Sequence, residues 1–500
     1  MRQTSLPLEN LQAWSRLNNV QLFDVALEPH ITADNGDDHG GGMLAKADRA
    51  ETEPLVAVPL ELVLSKERVE EAAKVDTGLR QLVDAAPTLF QVGPPFIQQT
   101  NRMRCLQNDR TAVLLFLVYQ MTINSPDNSD HAPGFNNPLA DYVKFLPKDI
   151  PLPIFYTADE RELLVGTSLA EALDQKLISL QREFDSLKAA TESITWCQQA
   201  WWDEITGCLD FADWKLADAV YRSRALELPR GASVGMVPVV DMANHASDDR
   251  YNARFEVDED AGSVLLVVRD GKSIKQGDEV TIMYGCGGAC EMIFSYGFLE
   301  EHASSAREMF LALSIPADDP LKMAKIRVAQ TAPGVRIYVD EADQVQWDST
   351  FVWWACINQE DGLDFRVEQT VDGDTELKAL WKENELDPSA LQAKLLQDDL
   401  RDVFVLRATV RLQQRVEEQG MRLAASEDDF DNALPGNAQI RPYVYETVGR
   451  LRKLEMDLLT RTYETLEEQK NQLLESPVVR AYLGQDRSGT DVPDSPDDFS

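Results

Sequence analysis

Two short polar elements near the middle of the chain could do chemistry. Asn244 and His245 close an apolar run that begins at Met236, and two tyrosines, Tyr284 and Tyr296, each precede a glycine. Buried polar groups need hydrogen-bond partners, so an Asn-His pair at the end of a strand-like run indicates a site. Taken singly, each piece is better explained as a turn or a strand end. Their order and spacing together favour a site.

In this order the motifs resemble the carboxy-terminal half of a SET domain. The resemblance rests on residues 241–245 (DMANH), on Tyr284 with Gly285, and on residues 296–298 (YGF), which begin twelve positions later. Several spaced motifs in a fixed order are more specific than one short pattern. The branch they resemble is typified by the Rubisco large-subunit methyltransferase and its fungal and animal relatives, which methylate protein lysines, including those of ribosomal proteins or histones.

The amino-terminal half of the same domain is matched around a run of glycines. Gly42, Met43 and Leu44 lie in the segment GGGMLA, which a strand ending at residues 58–59 follows. By resemblance this backbone wraps the methyl donor, S-adenosyl-L-methionine, and glycines suit it because a ligand must approach the backbone closely. A phosphate-binding loop is a weak alternative, because a strand-like stretch follows the glycines and no Lys-Ser/Thr pair completes the motif.

The resemblance implies a role for each central residue. Tyr284 and Tyr296 are implied as the catalytic tyrosines that line a lysine channel. The residues implied to bind the donor are Gly42, Met43, Leu44, Arg224, Asn244, His245, Tyr284 and Phe298. For Arg224, a structural ion pair explains the residue at least as well as donor contact. His245 as a general base is the less favoured alternative, because the family uses this residue to bind and shape the site.

The implied reaction is an in-line displacement in which a lysine amine attacks a sulfonium methyl group. The amine is protonated at neutral pH, with a reference pKa of about 10.4. The site must therefore exclude water to favour the neutral amine and hold its nitrogen on the methyl axis. Tyrosine suits this channel because its ring is apolar and its hydroxyl can orient the amine. Neither a metal nor a strong base is required.

One position departs from the family pattern. Ala289 precedes Cys290 and Glu291 at a place where relatives usually have asparagine. If that asparagine buttresses the loop, its absence would make the site looser or slower. Because both tyrosines and the Asn-His pair are retained, an active enzyme is still predicted.

The elements that position these residues are predicted to be a small β core interrupted by helices. Alternating apolar residues and turn signals between residues 253 and 284 predict consecutive strands. Residues 79–187 have helical patterning, broken by a polar stretch at 124–134 that is expected to be a mobile loop. After residue 305 the pattern is helical again, as the apolar spacing of residues 451–459 shows, and the length of the periodic segments predicts antiparallel helix packing.

The predicted fold is α+β, with a β-rich SET core that has pseudoknot-like carboxy-terminal motifs, a helical insert and an all-α carboxy-terminal domain. The predicted units are an amino-terminal SET part at 10–79, the helical insert at 80–200, a carboxy-terminal SET part at 201–304, an α-helical domain at 305–483 and an acidic tail at 484–500. By resemblance the helical domain is the substrate-binding domain of this branch. The tail is expected to be disordered.

Composition restricts the compartment and the partners. A chain of 500 residues predicts two or three units. The longest apolar run, 112–119, is too short to cross a bilayer, and the first residues lack the core of a secretory signal. Six cysteines without zinc spacing and five scattered histidines predict reduced thiols and no metal site. We therefore expect a protein of the nucleus or cytoplasm, with no membrane partner.

The strong acidity bears on the partner. The chain has 85 acidic and 48 basic residues, a net charge of −37. This balance disfavours direct nucleic-acid binding and favours a basic protein substrate, such as a ribosomal protein, a histone or a translation factor. Acidity that only maintains solubility is an equally weighted alternative. Nothing in the sequence requires more than a monomer.

Three functions follow from these observations. The first is transfer of a methyl group from S-adenosylmethionine to a lysine of a basic protein. The second is methylation of a histidine, and the third is an inactive SET scaffold that binds a partner through its helical domain. The two tyrosines favour the first, while Ala289 leaves room for the third. The sequence leaves open the target lysine, the degree of methylation and the oligomeric state.

Overall fold

The computed structural model describes seven segments of the chain. They are residues 1–31, 40–89, 101–128, 137–229, 234–369, 375–433 and 439–484, without the side chains of 86–89 and 101–108. Three expectations fall wholly or partly outside them: the start of the glycine-rich loop, most of the polar stretch at 124–134, and the acidic tail after residue 484.

The described helices and strands are numbered in chain order. The α-helices are α1 (Leu11–Leu17), α2 (Lys66–Val75), α3 (Thr77–Leu89), α4 (Asn101–Asn124), α5 (Pro138–Tyr142), α6 (Ala158–Glu162), α7 (Ser168–Thr191), α8 (Thr195–Cys197), α9 (Phe211–Arg224), α10 (Ala289–Tyr296), α11 (Lys322–Ala329), α12 (Phe351–Cys356), α13 (Leu391–Leu396), α14 (Arg401–Ala425), α15 (Glu427–Asn432), α16 (Pro442–Leu474) and α17 (Pro477–Tyr482). The strands are β1 (Gln21–Leu22), β2 (Val25–Glu28), β3 (Gly42–Ala45), β4 (Pro54–Pro59), β5 (Ala225–Glu227), β6 (Val234–Met236), β7 (Asn244–His245), β8 (Ala253–Asp258), β9 (Ser263–Val268), β10 (Thr281–Ile282), β11 (Glu308–Ala312), β12 (Gly334–Val339), β13 (Val345–Asp348), β14 (Leu363–Gln369), β15 (Thr375–Trp381) and β16 (Asn384–Leu386).

Small sheets form the predicted β core. One antiparallel sheet has the order β1-β4-β9-β8, and three two-stranded ladders join β2 to β3, β5 to β6, and β7 to β10. Strand β9 lies inside the larger sheet, between β4 and β8. Its residues Val264, Leu266 and Val268 are fully buried and lie on one face, as expected from the alternation of side chains along a strand. The predicted run of strands is confirmed, except that β10 leaves this sheet and pairs in parallel with β7.

The helical insert leads into the core through α9. This helix begins at a capping box, in which the Asp210 carboxylate accepts from the Asp213 N–H and the Asp213 carboxylate accepts from the Asp210 N–H. Such reciprocal capping satisfies two of the free donors at a helix start. The helix then runs to Arg224 and passes directly into β5, which places its last turn beside the core segments.

The carboxy-terminal region is built on two long helices. Gln413 of α14 donates to Glu467 of α16 at 2.5 Å, and Arg452 of α16 donates to the Leu423 carbonyl of α14 at 2.9 Å. Between these two contacts the residue number rises from 413 to 423 along α14 and falls from 467 to 452 along α16, so the two helices are antiparallel. The antiparallel packing predicted from the length of these helical segments is therefore confirmed.

The expectation that this region is all-α needs correction. Two three-stranded antiparallel sheets, β11-β12-β13 and β14-β15-β16, accompany the helices. The strands are short and alternate with a period of two, as in β12, where Val335 and Ile337 are buried and Arg336 is exposed. Patterning dominated by the long helices hides such strands, because each contributes only two or three inward residues.

Candidate active site

Three distant segments of backbone meet at the predicted site. Parallel pairing of β7 with β10 sets Asn244 beside Thr281 and His245 beside Ile282. The next residue upstream of β10, Val280, donates its N–H to the Met43 carbonyl of β3 at 2.8 Å. Backbone hydrogen bonds therefore join three segments: the glycine-rich strand β3, the Asn-His pair of β7, and β10, which leads to Tyr284.

Gly42 lies at the tightest point of this junction. A Cβ atom added at Gly42 would lie 2.5 Å from Ile31 Cδ1, 2.7 Å from Asn244 Nδ2 and 3.1 Å from Glu279 Oε1. The same amide nitrogen of Asn244 donates to Glu279 Oε1 at 2.7 Å. Only glycine fits here without displacing a neighbour, and the neighbours are side chains of the protein itself.

His245 is a buried structural element of the site. Its side chain is 2% exposed, and its Nδ1 accepts a hydrogen bond from the backbone N–H of Tyr284 at 3.1 Å. Burial lowers the pKa of His245, against the opposing effect of the Glu300 carboxylate, whose Oε1 lies 3.8 Å from Nε2. The imidazole is therefore neutral at neutral pH with Nδ1 already occupied, which argues against the general-base alternative.

The two predicted tyrosines lie against each other. Their ring centroids are 4.8 Å apart, and the Tyr284 ring is 5.1 Å from that of His245. The Tyr284 hydroxyl donates to the Ala243 carbonyl at 2.9 Å, and the Tyr296 hydroxyl donates to the Tyr284 carbonyl at 3.3 Å. Burial raises the pKa of Tyr284 and of Tyr296, so both hydroxyls are protonated donors at neutral pH. Phe298 joins this cluster, 6.1 Å from the His245 ring.

Tyr296 is the last residue of α10, and so it ends a helix rather than a strand. Gly297 follows it as a left-handed cap with φ of 84°, a conformation that favours glycine. A Cβ atom at Gly297 would also lie 2.7 Å from the Pro151 carbonyl oxygen of the helical insert. The glycine after this tyrosine is therefore required both by its backbone angle and by the close approach of the insert.

Arg224 reaches the site from the end of α9. Its Nη1 donates to the Asp241 carbonyl at 2.7 Å and lies 3.7 Å from the carboxylate of the same residue. Within the described part of the chain, Arg224 Nε and Asp241 Oδ1 are buried without a hydrogen-bond partner. The structural ion pair and a donor available to a ligand are thus both present on this side chain.

Two features of the loop between β6 and β7, residues 237–243, are not predicted by any sequence pattern. Tyr142, fully buried in the insert, donates its hydroxyl to Asp241 Oδ2, and burial is the main cause that raises the pKa of Asp241. Val239, two residues upstream, is fully buried with φ of 73°. A β-branched residue in the left-handed region costs about 1–3 kcal/mol and persists only where its surroundings hold it, so packing enforces the shape of this loop.

The departure at Ala289 has a local structural context. Ala289 is 5% exposed and is the first residue of α10, after Gly288, which has no side chain to cap the helix. Its N–H donates to the Ala306 carbonyl at 2.9 Å, and a Cβ atom at Gly288 would lie 2.4 Å from the same oxygen. The start of this helix is therefore held by the backbone just before β11 and by the Glu308 carboxylate, which accepts from the Gly288 N–H at 3.4 Å.

Among the described residues, no group of three or more histidine, cysteine, aspartate or glutamate side chains could hold a metal ion. In the same segments no helix is both long and apolar enough to span a bilayer.

Comparison with known proteins gives relatives of one kind. No family profile matches the chain. The chain is 30% identical over 363 residues to SET domain-containing protein 8 of Schizosaccharomyces pombe, covering 71% of this chain and 73% of that protein. It is 25% identical to the Rubisco large subunit N-methyltransferase of Nicotiana tabacum, covering 65% and 57%. It is 24% identical to N-lysine methyltransferase setd6 of Salmo salar, covering 60% and 59%. These two matches span less than two thirds of the relative's length.

Solved structures share the fold along nearly the whole chain. The SET domain of LSMT bound to lysine and AdoHcy has a TM-score of 0.63 at 17% identity, covering 97% of this chain and 96% of that one. Rubisco LSMT bound to AdoMet has a TM-score of 0.61 at 16% identity, covering 97% and 98%. At these identities the likeness establishes the fold alone.

Proposed function

The chain belongs to the SET-domain family, in the branch that contains the lysine methyltransferases, and we propose that it transfers a methyl group from S-adenosylmethionine to a lysine of a basic protein. The observation that carries this proposal is the meeting of Tyr284 and Tyr296, with ring centroids 4.8 Å apart, over the junction of Gly42 with the Asn-His pair. Two protonated hydroxyls beside apolar rings are what a lysine channel requires.

The residues at this junction fit the donor. When bound, S-adenosylmethionine supplies an electrophilic methyl group on a sulfonium. The backbone of Gly42, Met43 and Leu44 is assigned to the donor because Gly42 lets it pass close to Asn244, whose Nδ2 lies 2.7 Å from where a Cβ atom of Gly42 would stand. Buried Arg224 Nε, which has no hydrogen-bond partner among the described residues, is suited to the donor's carboxylate. Asn244 and His245 hold the opposite side of the junction.

The chain's own groups prepare the acceptor. The rings of Tyr284, Tyr296 and Phe298 exclude water, which disfavours the charged ammonium and lowers the pKa of an entering lysine. The lysine proton then leaves to solvent before attack, so no strong base is needed. The tyrosine hydroxyls and the carbonyls that they contact, at Ala243 and Tyr284, orient the neutral nitrogen. His245 serves by its neutral, hydrogen-bonded ring.

We propose that residues 305–483 bind the acceptor protein, and a cleft there supports this role. The cleft measures about 600 Å³, within the usual range of ligand sites. Glu376, Glu385 and Asp387 stand exposed on its rim. Lys378, the one ammonium among the described residues that line it, is engaged by Glu385 at 2.7 Å and by Glu368 at 3.3 Å. The floor is apolar and consists of Trp354, Ala379, Leu386 and Leu391.

A basic acceptor complements this rim and the net charge of −37. Lysine and arginine side chains can cover an apolar floor with their methylene stems while their charges meet the carboxylates. We also propose that the protein acts as a monomer in the nucleus or cytoplasm. The described cysteines support a reducing compartment, since all are free thiols: Cys197, Cys208, Cys286, Cys290 and Cys356.

The test is transfer of labelled methyl from S-adenosylmethionine into a proteome that lacks this enzyme. Wild type is compared with Tyr284→Phe, which removes the donor to Ala243, and with Tyr463→Phe, a matched change at an exposed position on α16. We expect a protein band labelled on lysine that is lost with Tyr284→Phe and kept with Tyr463→Phe. Mass spectrometry of this band identifies the acceptor protein.

Other outcomes would replace the proposal. Label on histidine would establish the second function, methylation of a histidine side chain. If no acceptor is labelled although calorimetry shows that S-adenosylmethionine binds, the chain is an inactive scaffold. If the donor does not bind either, the assignment of residues 42–44 and of Asn244 to donor binding is wrong.

A further inference from the structure

Arg222 of α9 connects that helix to the end of α10. Its Nη1 donates to Ser295 Oγ at 3.0 Å, and its guanidinium carbon lies 4.4 Å from the centroid of the Phe294 ring. The same Nη1 lies 3.9 Å from Glu291 Oε1. All three contacted residues lie on the helix that ends at Tyr296.

Ser295 links Arg222 to Glu291. Ser295 is 3% exposed, and its hydroxyl both accepts from Arg222 and donates to the Glu291 carboxylate one turn earlier. A buried hydroxyl that uses its donor and an acceptor position has a fixed orientation. Arg222, Ser295 and Glu291 therefore hold the last two turns of α10 in place. We call these three side chains the clamp.

Tyr296 follows directly after Ser295 of this clamp, and its ring lies 4.8 Å from that of Tyr284. Its own hydroxyl makes only a long hydrogen bond of 3.3 Å to the Tyr284 carbonyl. The residue after it, Gly297, packs against the Pro151 carbonyl of the insert. The last turn of α10 is thus held on one side by Arg222 and on the other by the insert, and the Tyr296 ring follows that turn.

We propose that Arg222 is a positioning residue that sets the width of the lysine channel by fixing Tyr296 through Ser295 and Phe294, an assignment that rests on the proposed function. It acts by geometry. Burial chiefly raises the pKa of Tyr296, the Glu291 charge raises it further and the Arg222 charge lowers it. Removing Arg222 therefore leaves the hydroxyl protonated at neutral pH, and only the position of the ring changes.

The experiment compares Arg222→Met, Ser295→Ala and the double variant with wild type. Methionine keeps the apolar stem over Phe294 and removes the donor. The readouts are the initial rate of label transfer into the enzyme-free proteome at saturating S-adenosylmethionine, and the ratio of mono-, di- and trimethyllysine by mass spectrometry. Donor binding by calorimetry shows that each variant is folded.

We expect the rate to fall by roughly 10- to 100-fold, as for a small misplacement of a reacting pair. The ratio of methylated products should change, and donor affinity should stay as in wild type. The double variant should be no slower than Arg222→Met, because the two side chains act through one contact. Ser295→Ala alone should change the product ratio in the same direction, which keeps the test decisive if Arg222→Met folds poorly.

Arg269→Met is the matched control. Arg269 is 25% exposed against 28% for Arg222, lies 4.0 Å from the centroid of the Tyr251 ring and pairs with Asp249 at 3.3 Å. It should lower stability without changing the product ratio. The assignment is overturned if an active wild type and its variants share one rate and one ratio, if the two losses add, or if Arg269→Met has the same effect. A wild type that labels nothing would instead overturn the proposed function, and this role with it.

Discussion

Alanine in place of Gly42 tests the donor-binding backbone most directly. The added methyl group would lie 2.5 Å from Ile31 Cδ1 and 2.7 Å from Asn244 Nδ2. Ile31 can rotate the end of its side chain away, whereas Asn244 is tied at 2.7 Å to Glu279 Oε1. To reach an ordinary contact of 3.4 Å, Asn244 must retreat and stretch that hydrogen bond.

The size of the effect follows from these contacts. Overpacking of a well-packed site costs about 1–3 kcal/mol. Because Ile31 can yield, we expect the free energy of unfolding to fall by about 2 kcal/mol. Displacement of Asn244 also removes about one hydrogen bond from the donor site, which weakens donor binding by roughly tenfold.

Calorimetric titration with S-adenosylmethionine and urea denaturation measure the two effects separately. Gly41→Ala is the control, since its nearest contact would be Leu8 Cδ2 at 3.0 Å, the end of a flexible side chain. It should bind the donor as wild type does. If Gly42→Ala is folded and also binds with wild-type affinity, residues 42–44 do not approach the donor and the reasoning fails.

Three further changes have defined outcomes. Tyr142→Phe leaves the buried Asp241 carboxylate without its hydroxyl donor, so urea denaturation should show a loss of about 1–3 kcal/mol. Glu376→Lys reverses a rim charge of the cleft and should raise KM for a basic acceptor protein, whereas Glu341→Lys, an exposed change outside the cleft, should not. Burial raises the pKa of Glu455 from 4.5 to about 7, so the folded state retains a proton that the unfolded state has lost. The free energy of unfolding should therefore fall as pH rises through this window, and less so in Glu455→Gln.

The predictable part of the site consists of residues close to a motif in sequence. The resemblance to a SET domain singles out Tyr284, Tyr296, Asn244 and His245, and the structure brings all four together. The expected approach of the methyl donor at Gly42 stays a prediction, while the structure shows that Ile31 and Asn244 lie where a Cβ atom would stand. Where neighbouring side chains lie this close to the backbone only glycine fits, so the position can be identified from the sequence.

The other part depends on contacts that span the chain. Tyr142 reaches Asp241 across 99 positions of sequence, and Arg222 reaches Ser295 across 73. Neither side chain stands in a pattern that a period or a motif would select. The left-handed backbone at Val239 contradicts the local preference of a β-branched residue, so no local pattern predicts it.

The sequence by itself determined the family resemblance, the central tyrosines and the antiparallel helices of the carboxy-terminal region, because each depends on local spacing. Only the tertiary structure decided that Tyr296 ends a helix, that short sheets accompany the carboxy-terminal helices, and that the insert holds the Asp241 loop through Tyr142. These features follow from packing between segments far apart in the chain, where burial and hydrogen bonding outweigh local preference.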